Sequence, residues 1–174
     1  MQVRTFDSFH PEHTALYQQM ADVTKATESI YPGAEKWFKE KFLDGLKRQE
    51  RMYVVALNDD QTLAGFALLK NTEEEKKICT LFVASQFRRR GVGRQLIQQS
   101  ITALGTVPLI TVSQQTLSQF SGLLKRCGFH LSAQKKGVYN PKDTEYYFND
   151  KKADAIKDEL IPVLIQRMKQ LKQK

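Results

Sequence analysis

Two glycines and four arginines are concentrated in the segment Arg88-Arg89-Arg90-Gly91-Val92-Gly93-Arg94. Because glycine has no side chain, backbone N–H groups near Gly91 and Gly93 can approach an anion closely. A guanidinium group can hold phosphate oxygens through two parallel hydrogen bonds. The segment therefore predicts a turn that binds phosphate or pyrophosphate. A tight turn with a solvated basic face explains an isolated Gly-x-Gly equally well, so the neighbouring elements must decide between the two.

A helix is predicted directly after the two glycines. Ile97, Ile101 and Leu104 recur there at the i, i+4 and i+7 positions that form one face of a helix. The first turn of a helix has free N–H groups and a positive dipole end, and both favour an anion. The sequence lacks the Gly-x-x-x-x-Gly-Lys-[Ser/Thr] of a P-loop, and it lacks the third glycine and ribose-binding acid of a dinucleotide fold.

Strands are predicted on both sides of this helix. Residues 52–57 and 63–69 are typical of a hairpin, and apolar runs follow at 78–83 and 107–112. The strand, loop, helix and strand from 78 to 112 form a crossover unit, which places its two strands parallel. The other predicted elements are helices over 11–29, 34–48 and 117–124, the last of them ended by Gly128, and strands near 129–139 and 144–149.

The composition limits the class of protein. A chain of 174 residues with 41% hydrophobic residues is enough for one domain with a closed core. Charged residues interrupt the first thirty positions, and no run approaches the roughly twenty apolar residues that span a bilayer. We therefore expect a cytoplasmic protein without a membrane segment. The net charge of +8 favours an anionic partner and is compatible with a phosphorylated cofactor, a nucleic acid or a well-solvated surface.

Metal binding is not predicted. Cys79 and Cys127 lie in apolar contexts without metal-ligand spacing, so we expect two small core residues and no bound metal. The lone histidines at 10, 13 and 130 are interpreted as surface or core residues.

The last residues differ from the rest of the chain. We expect one domain over 1–150 and a helical extension over 151–174, with Leu160, Leu164, Met168 and Leu171 on one face. An amphipathic helix usually buries its apolar stripe, so packing on the sheet is expected, with pairing to a second subunit or RNA binding as alternatives. A monomer and a homodimer both stay open. Pro162 must lie in a first turn or kink the helix.

These elements together resemble the GCN5-related N-acetyltransferase (GNAT) superfamily. Its signature [Arg/Gln]-x-x-Gly-x-[Gly/Ala], between the fourth strand and the third helix, is matched by Arg88-x-x-Gly91-x-Gly93, and a helix ending in Gly-Phe is matched at Gly128-Phe129. The resemblance covers 50–149 well and the first fifty residues more loosely. It implies an α/β (α+β) fold, in which a mixed twisted sheet of six or seven strands is flanked by helices.

The resemblance also implies acetyl-coenzyme A as co-substrate. The backbone of Leu81, Phe82 and Val83 would pair with the pantetheine arm like an added strand. The segment from Arg88 through Arg94 would hold the pyrophosphate, chiefly through backbone amides: Arg88, Arg89, Arg90, Gly91, Val92, Gly93 and Arg94. A gap between the strands at 78–83 and 107–112 would admit the arm.

The catalytic positions depart from the family pattern. Leu123 replaces a Tyr that serves many members as general acid, Ser118 replaces a common Asn, and Lys77 falls where some members have a Glu base. The remaining candidates, each of which also has an ordinary structural explanation, are Tyr139 in an open loop, Glu75 near the start of the fourth strand, and Ser113 at the end of the fifth.

The leading functional prediction is transfer of an acetyl group from acetyl-coenzyme A to a primary amine by direct attack in a ternary complex. The acceptor is not identifiable from the sequence. An aminoacyl-tRNA acceptor, as in GNAT toxins, fits the charge but is not favoured over a small-molecule or protein amine. The alternatives are a non-catalytic acyl-coenzyme A sensor or partner-binding module, and a nucleic-acid-binding module that uses the C-terminal lysines.

Overall fold

The computed structural model describes residues 1–171, and its centre is one mixed sheet. The strands are β1 (Gln2–Phe6), β2 (Arg51–Leu57), β3 (Leu63–Asn71), β4 (Lys76–Val83), β5 (Leu109–Ser113), β6 (Leu131–Lys136) and β7 (Thr144–Phe148). They form a seven-stranded sheet in the order β1-β2-β3-β4-β5-β7-β6. Only β4 and β5 are parallel, because the crossover between them reverses the chain twice. The predicted mixed sheet of six or seven strands is confirmed.

The helices lie on both faces of this sheet. They are α1 (Thr14–Lys25), α2 (Ala34–Trp37), a π-helical stretch (Phe38–Leu43), α3 (Asp44–Lys47), α4 (Val92–Leu104), α5 (Leu117–Arg126) and α6 (Lys151–Leu171), with 3₁₀ turns at Pro11–His13 and Ser85–Phe87. The predicted helix over 34–48 is thus one continuous run with a π-helical centre. Strand β1 was not predicted, because five residues of mixed polarity show no clear period of two.

Each face of the sheet has its own apolar core. One core packs under α4 and α5 and includes Leu96, Ile97, Leu124 and Phe148. The other packs under α1 and the helical run from α2 to α3, and it includes Phe38, Phe42, Tyr53 and Phe66. We refer to these as the α4 face and the α1–α3 face. Because both faces are covered, every strand of the sheet centre is held from two sides.

Helix α6 projects from this domain, and the expectation that its apolar stripe packs on the sheet is wrong. Its start contacts β6, where the Asp154 carboxylate accepts a hydrogen bond from the Ser132 hydroxyl at 3.0 Å. Farther along, apolar side chains are about half exposed, such as Ile161 at 50% and Leu164 at 54%. The other helices already cover both faces of the sheet centre, so α6 has no place to pack there. Pro162 lies inside this helix rather than in its first turn.

Residues 172–174, which belong to the predicted extension, lie outside the described residues. Among residues 1–171, no helix combines the length and the apolar character needed to cross a bilayer.

Candidate active site

Strands β4 and β5 are paired over a short distance only. Their two paired positions are Lys77 with Leu109 and Ile78 with Ile110. Beyond them β4 continues beside β3 as far as Val83, and β5 continues beside β7 as far as Ser113. The two strands therefore diverge, and a gap opens in the middle of the sheet. Since β3 pairs with only one edge of β4, the backbone groups on the other edge of β4 face this β4–β5 gap.

A β-bulge lies where the gap begins. Leu69 pairs with Ile78 and Leu68 pairs with Thr80, so Cys79 is an extra residue in β4. A bulge bends its strand, which explains why β4 turns away from β5 directly after Ile78. The Cys79 thiol receives a hydrogen bond from Arg51 at 3.3 Å, and burial raises the pKa of this thiol. Cys79 is therefore a protonated packing residue and a poor nucleophile.

The chain leaves β4 through a turn that presents backbone amides at the start of α4. Gly91 precedes the helix with φ +82°, and Arg89 also has a positive φ of +61°. The first helical bond of α4 joins the Gln95 N–H to the Gly91 carbonyl at 3.0 Å. The amides of the preceding three residues consequently have no carbonyl within the helix to bind. Together with the helix dipole, they favour an anion at this turn.

The second glycine of the turn is required by packing. A Cβ atom on Gly93 would lie 3.0 Å from Cδ2 of Leu123 and 3.6 Å from Cγ2 of Val83. Helix α5 thus lies directly against the start of α4, with Leu123 beside the end of β4. This leucine has no proton to donate, so the place of the usual tyrosine is filled by a packing side chain.

The four arginines of the turn have different surroundings. The Arg88 guanidinium donates a hydrogen bond from Nε to the Val83 carbonyl at 3.1 Å and so connects the turn to the end of β4. The side chains of Arg89, Arg90 and Arg94 are exposed around the start of α4. They add positive charge where the free amides already favour an anion.

The predicted catalytic candidate Tyr139 lies at the sheet face beside the gap. It occupies the turn between β6 and β7, and its hydroxyl accepts a hydrogen bond from Nζ of Lys77 at 2.9 Å. Lys77 is in the last stretch of β4 that pairs with β5. The ring of Tyr139 is 43% exposed and makes an edge contact with Tyr31, with 5.9 Å between ring centroids. The predicted open environment of this phenol is confirmed.

The other two candidates are held by local bonds. The Glu75 carboxylate accepts a hydrogen bond from Lys70 at 2.9 Å. Burial alone would raise the pKa of Glu75, but Lys70 and the neighbouring cations lower it. The buried Ser113 hydroxyl donates to Asp143 and accepts from the Gln115 N–H. The structure thus brings Tyr139 to the gap, whereas Glu75 and Ser113 stabilise turns at the ends of β4 and β5.

One buried carboxylate was missed by the sequence analysis. Glu145 is only 4% exposed and lies on β7, directly opposite Ser113 of β5. Its Oε1 accepts a long hydrogen bond of 3.4 Å from the Tyr31 hydroxyl. Burial raises the pKa of Glu145, against the opposing effects of Thr111, Lys77 and Tyr31. The available signal was a charged residue within the apolar strand predicted at 144–149. We call Tyr31, Lys77, Tyr139 and Glu145 the gap cluster.

Within residues 1–171, no three His, Cys, Asp or Glu side chains are grouped so that they could hold a metal ion.

The fold and the turn define an acyltransferase domain, and the comparison with protein families agrees. Residues 2–138 match the family model described as an acetyltransferase (GNAT) domain. The chain therefore belongs to the GNAT acetyltransferase superfamily. A search among curated proteins found no match.

Solved structures share the fold. An acetyltransferase of the GNAT family from Desulfovibrio desulfuricans is 19% identical, with a TM-score of 0.61 over 84% of this chain and 97% of that one. NAA60 of Arabidopsis thaliana, in complex with a bisubstrate analogue, is 16% identical with a TM-score of 0.61 over 84% and 97%. The PaiA N-acetyltransferase of Thermoplasma acidophilum, in complex with coenzyme A, is 20% identical with a TM-score of 0.59 over 84% and 98%. At these identities the likeness shows a common fold.

Proposed function

We propose that this protein transfers an acetyl group from acetyl-coenzyme A to a primary amine by direct attack in a ternary complex. The observation that carries the proposal is the β4–β5 gap, which has a free strand edge along one side and an anion-binding turn at the start of α4. The amides of a pantetheine arm can pair with a strand edge, and a pyrophosphate suits a helix start. Similar folds have been solved in complex with coenzyme A and with a bisubstrate analogue, which supports coenzyme A as the class of ligand.

The cofactor contacts follow from this placement. The backbone of Leu81, Phe82 and Val83 would pair with the pantetheine arm, since these residues lie in β4 beyond its last pair with β5. The amides from Arg89 to Arg94 would hold the pyrophosphate. Arg88 would act mainly by fixing the turn, because its Nε already donates to Val83.

The reaction forms a C–N bond and breaks the C–S bond of the thioester. The departing thiolate needs a proton, and Leu123 cannot supply one. Lys77 donates its hydrogen bond to the oxygen of Tyr139, so the proton of the phenol stays free to be donated. We assign the role of general acid to Tyr139 on this ground. Such assistance typically accelerates proton transfer about 10²- to 10⁴-fold.

One observation favours a second candidate function. Leu123 fills the space between α5 and Gly93 and offers no polar group to the gap. A chain that binds acyl-coenzyme A without turning it over, as a sensor or a partner-binding module, would need no acid there. Acetyl-coenzyme A binding without any acetyl transfer would favour this second function.

Two glycine variants test the cofactor site. Gly91 and Gly105 both have positive φ, +82° and +67°, and a Cβ on either meets no atom within 4 Å. Gly91→Glu and Gly105→Glu therefore cause similar backbone strain, but only the first places a negative charge at the anion-binding turn. We expect Gly91→Glu to weaken acetyl-coenzyme A binding at least about tenfold, because the carboxylate repels the pyrophosphate. Gly105→Glu should bind like the wild type.

Calorimetry with acetyl-coenzyme A gives the affinity, and thiol release gives the transfer rate. The amine panel contains a polyamine, an aminoglycoside, peptides with free α- and ε-amines, and an aminoacyl-tRNA. Equal affinities of the two variants would exclude the turn as the cofactor site. Binding by the wild type with no thiol release from any amine would exclude the enzymatic proposal.

A further inference from the structure

The acceptor amine must lose a proton before it can attack, so a base should lie near the gap. A primary amine is an ammonium ion at neutral pH, and a carboxylate both attracts this ion and can take its proton. Three carboxylates lie near the ends of β4 and β5: Glu75 precedes β4, whereas Asp143 and Glu145 lie beside the end of β5. Glu75 is paired with Lys70, and Asp143 accepts hydrogen bonds from Ser113 and Gln115. Glu145 has no ion pair within 4 Å among the described residues, and the hydrogen bond that it accepts from Tyr31 is long, at 3.4 Å.

Glu145 lies where the two strands separate. Thr111 is the first residue of β5 beyond the last β4–β5 pair, and its side chain contacts the Glu145 carboxyl. Ile110 and Val112, on either side of Thr111, pack in the core on the α4 face. Because side chains alternate along a strand, Thr111 and the Glu145 carboxyl face the α1–α3 side. The hydrogen bond from Tyr31, which follows α1, agrees with this orientation.

This orientation separates two routes into the gap. The anion-binding turn belongs to α4, so a cofactor held there reaches the gap from the α4 face. Glu145 reaches the same gap from the α1–α3 face. An acceptor that approaches from this second side would meet the carboxylate before it meets the thioester.

We propose that Glu145 binds the ammonium group of the acceptor and is the general base of the reaction. This inference rests on the proposed acetyl transfer. The ammonium group gives one proton to the Glu145 carboxylate, and the neutral nitrogen then attacks the thioester carbonyl carbon. The C–N bond forms, the C–S bond breaks, and the second proton of the nitrogen passes to the departing thiolate by way of Tyr139. Glu145 releases its proton to solvent, which completes the balance for one amide and one thiol.

The surroundings of Glu145 suit a base. Thr111 of β5, Lys77 of β4 and Tyr31 favour the ionised carboxylate, whereas burial and Asp143 raise the pKa of Glu145 above its ordinary value. Lys135 of β6 lies opposite Glu145 in the sheet but is exposed to solvent, which screens its charge. A carboxylate with a raised pKa is a stronger base than an ordinary glutamate.

The test uses the same amine panel and acetyl-coenzyme A with four variants: Glu145→Gln, Glu145→Asp, Glu75→Gln and Glu35→Gln. Glu145→Gln should lower kcat/KM at least about 100-fold for an accepted amine. It should also remove the acidic limb of the pH profile, which is the fall in kcat/KM at low pH as the base becomes protonated. Its affinity for acetyl-coenzyme A should be unchanged. Glu35→Gln, which alters a partly exposed carboxylate of α2 paired with Lys25 and Lys39, should behave like the wild type. Glu145→Asp keeps the charge on a shorter side chain and should retain an acidic limb with intermediate activity.

A stability measurement separates catalysis from a structural role. With its pKa raised in the folded protein, Glu145 holds its proton to higher pH than it does in the unfolded chain. Stability therefore falls as the pH rises from the unfolded to the folded pKa, and glutamine does not carry this penalty. Glu145→Gln should be at least as stable as the wild type at neutral pH while its activity is lost.

Four results would overturn the inference. The first is a Glu145→Gln protein with the kcat/KM of the wild type. The second is an acidic limb that is retained in Glu145→Gln and lost in Glu75→Gln. Loss of activity that is fully accounted for by unfolding of Glu145→Gln would show a structural role. If the wild-type protein binds acetyl-coenzyme A but acetylates no amine, the proposed function itself fails, and this inference fails with it.

Discussion

Two clusters of tyrosines lie on the α1–α3 face of the sheet, and they differ in what surrounds them. The first is the His13–Tyr53 cluster, formed by His13, Tyr17 and Tyr53. The Tyr53 hydroxyl lies 2.6 Å from Nδ1 of His13 and 3.1 Å from the Tyr17 hydroxyl, and the ring is fully buried. Strand β2, which carries Tyr53, is paired along its length with β1 and β3. Every hydroxyl in this cluster therefore has a partner, and the sheet beside it is closed.

The gap cluster has similar residue types but an incomplete sheet beside it. Strand β5 has lost β4 as a neighbour where Glu145 and Thr111 meet, and among the described residues Glu145 pairs with no cation and accepts a long hydrogen bond from Tyr31. Its charge is therefore buried without full compensation, which a protein tolerates mainly where the charge has a function. The comparison indicates that an intact sheet makes buried polar groups structural, whereas a divided sheet makes them available to a ligand.

Replacement of Tyr53 by alanine should have the largest effect, and this effect should be on stability alone. The change removes a fully buried aromatic ring and leaves His13 and Tyr17 without their partner. We expect a loss of about 3–5 kcal/mol in the free energy of unfolding, measured by urea denaturation. Below the unfolding transition, kcat/KM per folded molecule should be that of the wild type. A selective loss of acetyl transfer in a stable Tyr53→Ala protein would contradict the comparison.

A Tyr→Phe change should lower activity when it is made in the gap cluster and stability when it is made in the His13–Tyr53 cluster. Tyr31→Phe removes the hydroxyl that donates to Glu145 and accepts from the Ser113 N–H. We expect kcat/KM to fall about tenfold, as is typical when a hydrogen bond to a charged group is lost. The acidic limb should also move to higher pH, because the bond from Tyr31 lowers the pKa of Glu145.

Tyr53→Phe is the matched control for this change. It should cost about 1–2 kcal/mol of unfolding free energy, because a buried hydrogen-bond network loses its central hydroxyl. Its kcat/KM and pH profile should not change. If Tyr53→Phe shifted the acidic limb as much as Tyr31→Phe does, the two clusters would be one coupled network.

The parts of the fold that depend on local periodicity could be predicted from the sequence. The turn at Gly91–Gly93, the helix after it and the strands of the hairpin and crossover follow from neighbouring residues, and the structure places these elements within a few positions of the prediction. Strand β1 was missed because its five residues become a strand only through pairing with β2, more than forty residues later in the chain.

The gap cluster could not be assembled from sequence, because its contacts are not local. Tyr31 and Glu145 are separated by 114 positions, and they meet only because β7 inserts between β5 and β6. Glu75 is bound by Lys70, only five positions earlier in the chain, and its catalytic role stays a prediction. The exposed stripe of α6 was predicted to be buried, because periodicity shows an apolar face but not whether a surface is left for it.

Replacement of Lys77 by methionine should have the smallest effect on kcat/KM. It tests how the charge of Lys77 acts on the Glu145 carboxylate within the gap cluster. The ammonium group of Lys77 lowers the pKa of Glu145, so its removal should raise that pKa and move the acidic limb of kcat/KM to higher pH. We expect a loss of a few-fold at acidic pH that becomes smaller as the pH rises and Glu145 becomes ionised again, and any loss that remains at higher pH reflects the missing bond to Tyr139. The loss should come without a change in acetyl-coenzyme A affinity.

Lys135→Met is the matched control. It removes an exposed lysine opposite Glu145 and should shift the acidic limb less, because solvent and salt screen an exposed charge. Equal shifts in both variants would mean that the Glu145 carboxylate responds to the net charge of the protein rather than to Lys77 at the edge of the gap.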